Sequence, residues 1–132
     1  MNIKSFKKEQ EAYVLYEQPG RNVEDQISCV VIHSVGRKYV YAARVGAYSP
    51  DAFYDCGASD YLTEAKDWGY PQKLFISKTA LDEYVERKNI FAELRNKFAR
   101  LAMYDLTLQQ LRAIKRVMND PNHTEKGTEE NE

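Results

Sequence analysis

Ile27-Ser28-Cys29-Val30-Val31-Ile32-His33, Ser34-Val35-Gly36-Arg37, Lys38-Tyr39-Val40-Tyr41-Ala42-Ala43-Arg44 is the stretch on which the fold turns. Its two outer runs are β-branched and aromatic, which suits a pleated, half-buried surface. The four residues between them contain a glycine and have the length of a hairpin connection. The stretch therefore predicts an antiparallel hairpin. Upstream, Glu11 to Glu17 (E-A-Y-V-L-Y-E) has the same character and stops at Gln18-Pro19-Gly20, a turn signal. Downstream come a short Phe53-Tyr54 stretch, a strand pattern from Asp60 to Lys66, the turn Asp67-Trp68-Gly69-Tyr70-Pro71, and Lys73-Leu74-Phe75-Ile76. About five short strands with turns every 8 to 12 residues are the pattern of a small antiparallel barrel or sandwich.

The pattern changes at Ser77, which can cap a helix and is followed by a long run without glycine or proline. Leu81, Tyr84, Val85, Phe91, Leu94, Phe98 and Leu101 recur at helical spacing, so one face is apolar and must dock on something. Thr107 and Gln110 form a capping box and Leu106 with Leu111 a hydrophobic staple. The helix they start has an apolar face of Leu108, Leu111, Ile114 and Met118 and ends at Asn119-Asp120-Pro121. The expected architecture is α+β: a small antiparallel β-barrel over 1–76, a two-helix hairpin over 77–120 packed on it or extending it, and a disordered acidic tail over 121–132.

With 132 residues, 43% of them hydrophobic and 30% charged, the chain can bury about two-thirds of its unfolded surface without disulfides or metals. The formal charge of −1 makes the whole chain a poor phosphate binder, so a nucleic-acid site would have to be local. By segment the charge is −1 over 1–76 (nine basic, ten acidic), +3 over 77–120 (nine, six) and −3 over 121–132 (one, four). The basic start Met1 to Glu9 lacks the apolar run of a secretory signal, and no stretch reaches the roughly 18 apolar residues of a membrane span. A cytoplasmic protein with reduced Cys29 and Cys56 is expected. Cys29, in an apolar strand, reads as a small buried hydrophobe.

Chemistry finds little to work with. His33 and His123 are the only histidines. Cys29 and His33 share a strand face, but strand residues four apart stand about 13 Å from each other. No C-x-x-C or H-x-x-x-H spacing supports zinc, and neither nucleotide-binding glycine motif occurs. Asp51, Asp55, Asp60, Glu64 and Asp67 could in principle hold magnesium, yet solvated loop charges explain them as well. The expectation is no enzyme, no cofactor and no metal.

Phe6 with Glu11-Ala12-Tyr13-Val14-Leu15, Val30 to Val40, Leu74-Phe75-Ile76-Ser77, Ile90-Phe91-Ala92-Glu93-Leu94-Arg95 and Leu106 to Ile114 together cover most of residues 6–118. In these motifs the chain resembles a group of small β-barrel-domain proteins from Gram-positive gut bacteria, their phages and mobile elements. It departs from them at Lys8-Glu9-Gln10, where a glycine is common, and in a longer segment over 46–60. The resemblance implies a barrel of the KOW or Src-homology type followed by helices, and no enzymatic activity.

Two surfaces then compete for a binding role. Tyr48, Phe53, Tyr54, Asp55, Tyr61, Asp67, Trp68 and Tyr70 crowd one loop-rich segment, and exposed tyrosine and tryptophan are rigid, amphipathic interface residues. Such an acidic, aromatic surface would meet a basic groove on a host protein or ribonucleoprotein, unless the rings simply close the barrel ends. Arg87, Lys88, Arg95, Arg112, Lys115 and Arg116 decorate the helices and could track phosphate, or be ordinary solvated charge. Together with the resemblance, the aromatic segment points to a phage or mobile-element protein that occludes a host macromolecule, for instance an inhibitor of a defence system such as a CRISPR effector. A KOW-like nucleic-acid module is the alternative. No membrane association is expected.

Overall fold

In the computed structural model, which describes residues 1–22, 26–47 and 49–120, six strands precede two helices. They are β1 Glu11–Leu15, β2 Ile27–Val35, β3 Val40–Ala43, β4 Asp51–Tyr54, β5 Leu62–Glu64, β6 Lys73–Phe75, α1 Lys78–Arg100 and α2 Leu108–Asn119. Every strand pairs antiparallel with its sequence neighbour, and β1 also pairs with β6, so the sheet closes into a barrel. Tyr48 and the acidic tail lie outside the described residues. Two compact units divide the chain, Met1–Asn89 and Ile90–Glu132.

Alternation along the strands decides what lies inside the barrel. Ala12 and Val14 of β1 pair with Val30 and Ser28, Ile32 pairs with Ala42, Val40 with Phe53, and Leu74 with both Val14 and Leu62. These apolar side chains form one buried cluster, capped by Ile3 and Phe6 from the short 3-10 helix before β1. Because Val30 and Ile32 point inward, Cys29 and His33 point outward. Cys29 is exposed with its thiol 3.8 Å from a Glu11 carboxylate oxygen, which corrects its reading as a buried hydrophobe. Phe53 is also corrected: it is a barrel-core residue with 1% exposure and not part of an exposed aromatic surface.

The complementary face of β1 and β6 is apolar too. Leu15 and Phe75 point out of the barrel, where an uncovered pair would be costly, and Leu81, Tyr84 and Val85 of α1 cover them. The helix starts where expected, with the Ala80 amide donating to Ser77 Oγ at 3.1 Å. The capping box of α2 is present in both directions, Gln110 N to Thr107 Oγ1 at 3.1 Å and Thr107 N to Gln110 Oε1 at 2.9 Å. The two helices follow the barrel one after the other, as expected.

Glu9 adopts φ 70°, the left-handed region that favours glycine. Its amide donates to the Ile32 carbonyl at 2.7 Å, and Ile32 N in turn donates to the Gln10 carbonyl at 2.9 Å. The strained residue thus extends the β1–β2 ladder, which explains a glycine at this place in the resembled proteins. Glu9→Gly is expected to raise stability by up to about 1 kcal/mol, the left-handed cost less the extra chain entropy. Phe75→Ala, emptying the contact between barrel and helix, is expected to cost about 3–5 kcal/mol. Urea midpoints at constant slope measure both.

Candidate functional site

Among the described residues of the barrel unit, the most exposed aromatic ones lie on the turn from Ala65 to Pro71, between β5 and β6. Its base is locked by paired polar contacts: Glu64 N donates to the Gln72 carbonyl at 2.9 Å, Gln72 N to Glu64 Oε1 at 3.0 Å, and Gln72 Nε2 to Asp51 Oδ2 at 3.1 Å. Gly69 reverses the chain with φ 70°, and a Cβ there would meet Lys66 Cε at 3.4 Å. Lys66 sits under the turn, its Nζ 4.6 Å from the Trp68 ring centre and 5.5 Å from that of Tyr16. Tyr16 meets Tyr70 edge to face at 6.4 Å. Trp68 is nevertheless 76% exposed and Tyr70 46%. Cation–π contacts of about 0.5–1 kcal/mol each at such exposed sites hold the rings in place without hiding them.

Beside this turn a recess of about 290 Å3 opens into one end of the barrel, with Val14, Val30, Ala42 and Phe53 in its apolar floor. Arg44, Asp51, Lys66 and Gln72 surround it with donors and an acceptor. The arrangement can seat an apolar or aromatic group with polar contacts around its edge. Among the described residues no group of three or more histidine, cysteine, aspartate or glutamate side chains has metal-binding geometry.

A second polar centre, Glu17, joins the barrel to α1. Its carboxylate accepts from Lys73 Nζ, Lys88 Nζ and the Tyr84 hydroxyl, the last at 3.1 Å. Burial pushes the Glu17 carboxyl upward, but the two ammonium donors outweigh it and hold it below its ordinary value of 4.5. Lys73 mirrors this, since burial lowers it while Glu17 and Tyr84 raise it above 10.5 overall. Lys73 also lies 5.2 Å over the Tyr61 ring and 5.4 Å over that of Tyr84. Burial raises the Tyr61 phenol, against the opposing pull of Lys73.

The expected aromatic surface therefore divides. Trp68 and Tyr70 are exposed with Asp67 beside them, whereas Phe53 is core. Tyr61 is half-buried against Phe75 and Tyr84, serving the contact between barrel and helix. Tyr54 is half-buried and stacks edge to face on Tyr39 at 6.4 Å. Asp55 is exposed, accepting from Gly57 N at 2.8 Å and lying 3.6 Å from the Met1 ammonium. Tyr16 completes the cluster through the pairing of β1 with β6, which no local sequence signal announces, whereas Lys66 meets Trp68 within the turn itself.

Of the basic residues, Lys88 is engaged by Glu17, and Arg87 is exposed in the same unit. In the unit beginning at Ile90, Arg95 is exposed on α1, and Arg112, Lys115 and Arg116 line one shallow concavity of about 430 Å3 on α2 together with Asn119 and Asp120.

A family model described as phage ProQ C-terminal-like domain matches residues 7–127. No curated protein and no solved structure matches the chain.

The Glu17 centre makes stability depend on pH at both extremes. A carboxyl held below its unfolded value stabilises the fold above pH 4.5, and this contribution disappears as pH falls through the folded value. An ammonium held above its unfolded value stabilises the fold below pH 10.5, and its contribution disappears as pH climbs through the folded value. Glu17→Gln is expected to destabilise by about 1–3 kcal/mol at pH 7 and to remove most of the acid-side loss. Urea denaturation from pH 3 to 7 compares the two slopes.

Proposed function

The chain belongs to the phage ProQ C-terminal-like domain family, and we propose that it is a non-enzymatic binding protein that occludes a macromolecule of the bacterial host through the Trp68–Tyr70 turn. An inhibitor of a host defence system, such as a CRISPR effector, is the concrete form of this reading. The observation that carries it is an indole left three-quarters exposed on a turn whose base is hydrogen-bonded and whose cation is stacked beneath it. A tryptophan and a tyrosine held this way lose little side-chain freedom on docking, and such residues dominate interface energetics. The recess lined by Tyr16, Lys66 and Gln72 offers the adjoining depression into which a partner side chain fits. The phage-type family supports a host target.

A second reading is favoured by the convergence of Arg112, Lys115 and Arg116 on one concavity. That trio suits a nucleic-acid phosphate backbone. Phosphate binding would weaken steeply with salt and with Arg112→Glu or Arg116→Glu.

Affinity capture from host lysate, with and without nuclease, separates the two. Under the occlusion reading a protein is retained after nuclease, and Trp68→Ala or Tyr70→Ala, with unchanged dichroism, weakens its binding about 10-fold or more. Retention that both variants leave unchanged sinks the aromatic-turn reading. Retention lost on nuclease treatment transfers the function to the helical arginines.

A further inference from the structure

The unit beginning at Ile90 carries an apolar surface on both its helices. Phe91, Leu94 and Phe98 on α1, with Leu101 just past its end, recur at spacings of three, four and three, a heptad seam. On α2, Leu108, Leu111, Ile114 and Met118 make a second stripe. These residues are open to solvent: Phe91 is 65% exposed, Leu94 51%, Phe98 49%, Leu108 61% and Met118 78%. Of the large apolar residues in this unit, only Leu106 and Ile114 are half-covered. At these exposures neither stripe covers the other.

We propose that a second copy of this chain covers them, the two helix pairs joining as a four-helix bundle. Area supports this occupant. At about 150–250 Å2 per large side chain, these five exposed fractions leave about 450–750 Å2 of apolar surface per chain, at or beyond the largest patch of an ordinary monomer and most of the roughly 800 Å2 each partner contributes to a standard interface. Helix length supports it too. A helix of 12 residues such as α2 is marginal in water unless its apolar face is packed. A bundle of four helices with heptad-like stripes is the arrangement that buries both faces at once.

Charge makes the proposal distinguishable from the alternatives. Residues 90–120 hold six basic side chains, Arg95, Lys97, Arg100, Arg112, Lys115 and Arg116, against Glu93, Asp105 and Asp120. Residues 121–132 add −3, so the unit as a whole is formally neutral and two copies meet without net repulsion. A self-associated apolar bundle therefore survives added salt, whereas an acidic partner or a nucleic acid on the same face is released.

Sedimentation equilibrium of the full chain tests this at about 100 µM, well above the micromolar weak end for interfaces of this size. The expected result is a dimer that persists as sodium chloride is raised. Leu94→Glu and Phe98→Glu each weaken it about 100-fold or more, through burial of an unpaired charge. Met118→Glu on α2 does the same without touching α1, which covers the case of an α1 variant that fails to fold. The near-ultraviolet dichroism of the barrel tyrosines stays unchanged in all three. A monomer at that concentration overturns the proposal, as does a dimer that the three substitutions leave intact or one that dissociates as salt is raised.

Discussion

The pairing of β1 with β6 is the contact on which the barrel unit depends. It joins residues 11–15 to residues 73–75 across most of the unit's sequence, so it carries the largest loop-closure cost of any pairing in the sheet. Once made, it closes the sheet and leaves no open edge to attract another chain. It also sets Leu15 and Phe75 on the outer surface of the closed sheet and brings Lys73 within reach of Glu17. The first turns of α1 then have both an apolar surface and an anion to meet. Barrel closure and helix docking are therefore coupled: loss of the β1–β6 register would shift Leu15 and Phe75 and break the carboxylate's contacts together.

The two polar centres of this unit work differently. At Glu17, three donors converge on one partly buried carboxylate, so each donor holds the others in place and the contact acts as a structural joint. At the Trp68 turn, a cation is stacked beneath rings that stay in solvent. Burying those rings in the barrel would have stabilised the fold more, by about 25 cal/mol per Å2 of apolar surface. Leaving them out while fixing their conformation lowers the entropy cost of any later contact. That contrast is why the proposed function rests on the turn and not on the more elaborate ion cluster.

In the second unit the balance between local and tertiary terms is reversed. Its helices are specified almost entirely by their own sequence, through the Thr107–Gln110 box and the uninterrupted helical run before it. Capping and propensity contribute about 1 kcal/mol or less per residue involved. Such terms define where a helix begins without giving its apolar face anything to cover it.

The sequence by itself determined the elements of this protein. β-Branched and aromatic composition marked Ile27 to His33 and Lys38 to Arg44 as strands, turn chemistry marked Gln18-Pro19-Gly20 and Gly69, and Ser77 and Thr107 announced the helix starts. These are local signals, carried by residues within a few positions of one another. Tertiary structure alone decided that Cys29 faces solvent while Phe53 faces the core, that Tyr61 serves the helix contact while Trp68 stays exposed, and that Tyr16 joins Lys66 and Tyr70. All of these depend on strand register between segments distant in the chain, and shifting a register by one residue exchanges inside for outside without changing a single local pattern.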